Sequence, residues 1–197
     1  MTDLSIMTVC SGNICRSPLA EGLLRAGLAA IPTIEFSSVG AIARDGEPVT
    51  DEILEIGRAN GVDLSQHHAR YMTERLVGGA DLLFAMARSH RRAIVELVPR
   101  KVAVTFTLRE FARLAAQISD EEIVAVAGRF DTTRDKLRAM VTLTGSRRGQ
   151  SEAPASPDDD DVIDPYRRDD DTYALSASQI IPAVDQVVHT LSLAARS

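Results

Sequence analysis

The chain has 197 residues, 45% of them apolar and 25% charged, which suits one globular domain above the size at which a single core is hard to build. No apolar run approaches the roughly 18 residues of a membrane span, the opening MTDLSIMTVC lacks a basic leader, and two cysteines with four histidines exclude a disulfide scaffold or a four-cysteine zinc site. The net charge of -6 is local, because Ser151 to Thr172 holds nine acids against Arg167 and Arg168 while the remainder sums to +1. That leaves no basic face for nucleic acid, and the expectation is a cytoplasmic protein with neither nucleic-acid nor membrane partners.

From Ser5 to Cys10 the chain is β-branched and apolar, then breaks into SGNICRS before the helical pattern PLAEGLLRAGLAA. Ser17, with Pro18 after it and Glu21 four positions on, has the residues of a capped helix start. A second strand at Ile34 to Ser38 precedes a helix from about Thr50 to Asn60 closed by Gly61, and a third strand covers Asp81 to Met86. Ser89 opens a helix through Val98, Val102 to Phe106 reads as a fourth strand, and Leu108 to Ile118 has apolar residues at helical spacing. Strands alternating with helices imply an α/β fold whose parallel sheet is covered on both faces.

After Ser119 the alternation stops. DEEIVAVAGRF and TTRDKLRAMVTL each suit a helix, and Gly145 to Asp161 reads as a mobile linker. The chain is thus expected to be a single domain over residues 1–197 carrying an inserted helical and disordered segment at about 119–161. A long amphipathic helix from about Asp171 to Ala195 follows, with Pro182 as a kink or a late start.

The chemistry concentrates in Cys10-Ser11-Gly12-Asn13-Ile14-Cys15-Arg16-Ser17, which sets a thiol at the end of a strand and a guanidinium six positions later at a helix entrance. A bare C-x5-R is common, and what separates this one is its coincidence with a strand, a turn and a helix start. Backbone N–H groups of a curled loop, backed by a helix N-terminus, cradle a tetrahedral oxyanion, and Arg16 can hold two of its oxygens. Positive surroundings of this kind also favour the thiolate, the nucleophilic form of a cysteine. Gly12 and Asn13 tolerate the positive φ of a tight loop, and the Ser17 hydroxyl can hydrogen-bond Cys10.

On these residues VCSGNICRSPLAE resembles the active-site loop of the low-molecular-weight protein tyrosine phosphatase family, which includes related arsenate reductases. The resemblance implies a four-stranded parallel sheet in 2-1-3-4 order with the loop at its switch point. It implies Cys10 as nucleophile, Arg16 and the loop from Ser11 to Ser17 as phosphate binders, and Asp164 of Asp164-Pro165-Tyr166 as general acid, with Tyr166 as an aromatic wall. Ser38 and His67 correspond to positions that support Asn13, and Cys15 to a thiol that pairs reversibly with the nucleophile. His68 adjoins His67 and could be confused with it, while His90 and His189 read as surface residues.

Two features depart from the family pattern. Ala41 to Asp45 holds no aromatic to form the second wall of a phosphotyrosine slot, and the acidic runs around Asp164 should repel acidic phosphopeptides. The function implied is hydrolysis of a phosphotyrosine protein or small phosphate ester through a phosphocysteine, without metal or cofactor. The alternative is reduction of arsenate with an external small thiol. No cysteine follows Cys15, which excludes an internal thiol relay.

Overall fold

The computed structural model describes residues 2–151 and 153–197. Four strands, β1 (Leu4–Cys10), β2 (Ile34–Gly40), β3 (Leu82–Ala85) and β4 (Thr105–Thr107), form one parallel sheet in the order β2-β1-β3-β4, as expected. Cys10 pairs with Gly40, Val9 with Ala85, and Ala85 with Thr107, so the carboxyl ends of all four strands share one edge. From β1 the chain crosses first to β2 on one side and later to β3 on the other. The crevice outside Cys10 is therefore the switch point at which open α/β sheets bind ligands.

Alternation along β1 divides the core. Leu4, Ile6 and Cys10 face the larger apolar cluster with α1 (Arg16–Gly27), α5 (Leu108–Ala115) and α8 (Asp170–Arg196), whereas Met7 and Val9 face a smaller one with α3 (Glu74–Gly79) and α4 (Arg88–Leu97). On the larger side Phe111 meets Phe84 and Phe106 edge to face at 5.2 and 5.1 Å. Its helix is held by a capping box between Thr107 and Glu110. The α2 helix (Asp51–Ala59) ends as expected, with Gly61 at φ +76°.

Several boundaries differ from the sequence reading, each for a local reason. Cys15, not Ser17, occupies the cap position of α1, because the Ser17 hydroxyl turns to Cys10 and Asn13 and Glu21 accepts from Ser38. No Ser89 cap forms on α4; the orphan amide of Arg88 is met instead by Asp161 Oδ1 at 2.7 Å, 73 residues away. Pro99 opens a 3-10 segment, Pro99–Val104, that takes up most of the expected fourth strand. The short α3, capped by Thr73, has two glycines and too little periodicity to be read.

The two helices expected after Ser119 are α6 (Asp120–Ala127) and α7 (Thr133–Ser146), which pack against each other and against α8. The stretch expected to be a mobile linker is partly structured: a 3-10 turn spans Pro157–Asp160, and Arg113 grips the Asp160 carboxylate at 2.9 and 3.1 Å. Glu152 lies outside the described residues. The α8 helix starts at Asp170 under an Asp169 cap and runs through Pro182. Pro182 and Ser178 are exposed, so solvent can take the Ser178 carbonyl that Pro182 cannot bond.

Candidate active site

Cys10 ends β1 at the floor of a cleft of about 250 Å³ and is 2% exposed. Its Sγ accepts the Asn13 N–H at 3.2 Å and lies 3.0 Å from Ser17 Oγ. The curl is held from outside through its carbonyls. Cys10 O accepts from Ala41, Ser11 O from Ile42, Asn13 O from His67 Nε2 at 2.8 Å, and Ile14 O from Thr50. With its carbonyls turned outward, the loop presents its N–H side to the thiol, as an anion cradle requires.

Asn13 is the residue on which this curl depends. It sits at φ 56°, in the left-handed region that Asn tolerates better than most side chains. Its amide donates to Ser38 Oγ at 2.8 Å and Ser17 Oγ at 3.0 Å and accepts from the Arg70 amide at 2.9 Å. The structure thus brings Ser38 and His67 to Asn13. Burial holds the His67 imidazole below its usual pKa.

One contributor escaped the sequence reading. A Cβ on Gly40 would stand 2.5 Å from Ser11 O and 2.8 Å from Asn13 N, so only glycine lets β2 pass so close to the loop. The glycine at the end of the second strand was the available signal.

Arg16 is 4% exposed, and its guanidinium is divided by function. Nη1 donates to Val162 O at 3.1 Å, which fixes the plane, while Nη2 donates to Asp164 Oδ2 at 2.6 Å and reaches Ser11 Oγ at 3.4 Å. Nε is buried without a hydrogen-bond partner among the described residues. The edge formed by Nε and Nη2 is therefore the one that can take two oxygens of an anion.

Asp164 reaches the cleft because its segment is docked to the sheet edge. Val162 N–H donates to Met86 O, and Arg109 donates to Asp161 O. Asp164 Oδ1 then accepts the Tyr166 N–H, closing the turn through Pro165. Tyr166 and Ile42 both line the cleft, so the wall expected to lack an aromatic is an exposed isoleucine beside Arg44.

Two expectations need correction. Most of the acidic run before Asp164 does not stand as free charge: Asp158 and Asp161 pair with Arg88, and Asp160 pairs with Arg113. His90, read as a surface residue, is 6% exposed, with Nε2 2.9 Å from Ser11 Oγ. His189 is half-exposed and pairs with Asp120 at 2.7 Å.

Cys10 and Cys15 are both free thiols. Burial pushes Cys15 up to about 12, against a weak opposing contact with Thr50 Oγ1 at 3.8 Å, which keeps it a neutral thiol. A larger cavity of about 530 Å³ lies between α1 and the Gly61 to Arg70 loop. Its Glu21, His67 and Arg70 already bond Ser38, Asn13 and the Ser38 carbonyl, and Cys10, Arg16 and Asp164 line the smaller cleft instead.

Comparison with known proteins agrees with this geometry. The family model for low molecular weight phosphotyrosine protein phosphatase matches residues 5–144. The probable low molecular weight protein-tyrosine-phosphatase EpsP of Ralstonia solanacearum is 39% identical over 106 residues, 54% of this chain and 71% of that one. A protein-arginine-phosphatase of Geobacillus stearothermophilus is 31% identical over 106 residues, 54% and 70% of the two chains. Among solved structures, the low molecular weight protein tyrosine phosphatase from T. tengcongensis superposes with a TM-score of 0.66 at 28% identity, covering 94% of this chain and 98% of that one. These relatives do not favour the arsenate-reductase alternative. The Cys10 to Ser17 curl, its sheet and the family match over most of the chain agree, and the chain belongs to the low molecular weight phosphotyrosine protein phosphatase family.

Proposed function

We propose that this protein hydrolyses phosphate monoesters through a phosphocysteine on Cys10, with phosphotyrosine in proteins as the substrate class. The observation that carries this reading is the seat of Cys10 Sγ beneath the Asn13 N–H and the Ser17 hydroxyl, inside a loop whose Cys10, Ser11, Asn13 and Ile14 carbonyls bond to surrounding segments.

In the first step Cys10 Sγ forms a bond to phosphorus as the bond to the ester oxygen breaks, with Asp164 giving its proton to the departing oxygen. The Nε and Nη2 edge of Arg16 and the loop amides hold the three non-bridging oxygens throughout, supplying the positive field in which charge is redistributed. In the second step water attacks phosphorus, its proton passes to the Asp164 carboxylate, and the sulfur–phosphorus bond breaks. Ser17 Oγ and the Asn13 N–H are placed to receive the negative charge that returns to sulfur in that step.

The aromatic leaving group is supported by the presence of Tyr166 and Ile42 in the lining of the cleft and by the relatives named as protein-tyrosine-phosphatases. Phosphoarginine is the competing substrate, because one relative is a protein-arginine-phosphatase. Turnover of phosphotyrosyl and phosphoarginyl peptides of matched sequence, wild type beside Cys10→Ser, tests both parts. Cys10-dependent release from phosphotyrosine at the higher kcat/KM supports the reading, and a preference for phosphoarginine reverses the substrate assignment.

A further inference from the structure

His90 lies on α4, buried against the outer side of the Cys10 loop, and the mechanism above makes no use of it. Its Nε2 is 2.9 Å from Ser11 Oγ, which also receives Arg16 Nη2 at 3.4 Å. Ser11 lines the cleft with Cys10 and Asp164. His90 Nδ1 is buried with no hydrogen-bond partner among the described residues.

That asymmetry determines where the imidazole proton sits. Burial, followed by the charge of Arg16, pushes His90 down to about 4 against the pull of Asp164 and Asp161, so the ring is neutral near pH 7 and carries one N–H. On Nδ1 that N–H would be an orphaned buried donor, which costs more than an unmatched lone pair. On Nε2 it is satisfied by Ser11 Oγ and leaves only a lone pair unmatched at Nδ1. His90 therefore donates to Ser11.

A hydroxyl has one proton and two lone pairs. With His90 Nε2–H and Arg16 Nη2–H both directed at Ser11 Oγ, both lone pairs are engaged and neither neighbour can accept the Ser11 proton. The remaining direction is the cleft.

We propose that His90 is a positioning residue that turns the Ser11 hydroxyl into a hydrogen-bond donor for a phosphoryl oxygen, so that Ser11 binds substrate through its side chain as well as through the loop. This rests on the phosphatase reading for the identity of the anion. It deepens that reading by adding a donor supplied from α4, an element outside the loop.

The test uses the full chain and inorganic phosphate as the probe, measured both as a competitive inhibitor of aryl phosphate hydrolysis and directly by calorimetry. Hydrogen bonds to charged groups are strong enough that Ser11→Ala should weaken phosphate about tenfold, with KM rising in step and kcat changing less. His90→Leu should weaken phosphate by a similar factor, and the double variant should be no weaker than Ser11→Ala alone, because both changes remove one donor. His90→Gln, whose side-chain amide can place an N–H near the Nε2 position, should recover affinity to within about threefold of wild type.

Wild-type phosphate affinity in Ser11→Ala, or losses that multiply in the double variant, would overturn the proposal. His90→Gln binding as weakly as His90→Leu would also count against it. Should His90→Leu fail to fold, Ser11→Ala and His90→Gln decide the matter by the same criteria. Failure of the phosphatase reading shows separately, as wild-type protein without Cys10-dependent hydrolysis, while calorimetry still reads the Ser11 and His90 arrangement.

Discussion

Arg16 Nη2 lies 2.6 Å from Asp164 Oδ2, so the side chain proposed to hold the phosphoryl group is paired with the one proposed to protonate the leaving group. The arginine is almost fully buried and the aspartate half-exposed, so the aspartate is the partner free to move. A phosphoryl oxygen bound at Nη2 would compete with the carboxylate for that donor.

Asp164→Asn should therefore act in two opposite directions. Loss of the acid should slow phenyl phosphate turnover by about 10²-fold or more, and much less for p-nitrophenyl phosphate, whose leaving group needs little protonation. Loss of the competing carboxylate charge should tighten inorganic phosphate by several-fold, on the order of 1 kcal/mol. Equal slowing on both esters, with unchanged phosphate affinity, would point to a different acid.

Arg16→Lys keeps the charge and removes the planar fork. A lysine cannot engage Val162 O and two phosphoryl oxygens together, so kcat/KM should drop by about 10³-fold and phosphate binding should weaken with it. Initial-rate kinetics beside phosphate titration check this, and a variant within tenfold of wild type would contradict the assigned role.

Asn13→Ala removes three side-chain hydrogen bonds, two of them buried, and leaves a residue at φ 56° that alanine adopts poorly. The expected loss of folding stability is roughly 2–4 kcal/mol, with activity abolished as the curl relaxes. Ser38→Ala, which removes one partner, should cost about 1 kcal/mol. Denaturant midpoints measure both, and similar values for the two variants would show that Ser38 carries more of the loop than the geometry suggests.

His90 should make the fold acid-sensitive. Its folded pKa of about 4 lies below the ordinary 6.5, so between those values the unfolded chain binds the extra proton. Stability is then fully present above about pH 6.5 and declines as pH falls toward 4, by on the order of 3 kcal/mol from this group. His67, also lowered, adds in the same direction. Unfolding curves from pH 7.5 to 4.5 should show this slope, and His90→Gln should flatten it; an unchanged slope would remove His90 as its source.

The nucleophilic loop was legible because it rests on local signals, a β-branched run, a strand-turn-helix junction and the spacing from Cys10 to Arg16, whereas the sheet order followed only from the family resemblance that these residues carry. Cap partners and surroundings supplied by distant segments were not. Asp161 caps α4 from 73 residues away, and His90 looks like any polar residue in a helix until α4 docks against Ser11. Ser17 shows the same limit from the other side, since its local sequence suits a helix cap but its hydroxyl is drawn to Cys10 and Asn13. The acidic segment misled because composition counts charges without their partners, which here are Arg88 and Arg113.

The most direct measurement is hydrolysis of p-nitrophenyl phosphate by wild type and Cys10→Ser, with acid-quench trapping of the phosphoenzyme and a phosphate titration of both proteins. A covalent phosphocysteine is expected in wild type, with turnover lower by about a thousandfold or more in Cys10→Ser and phosphate affinity within about threefold between the two. Undiminished turnover in Cys10→Ser would contradict the assignment of Cys10 as the nucleophile.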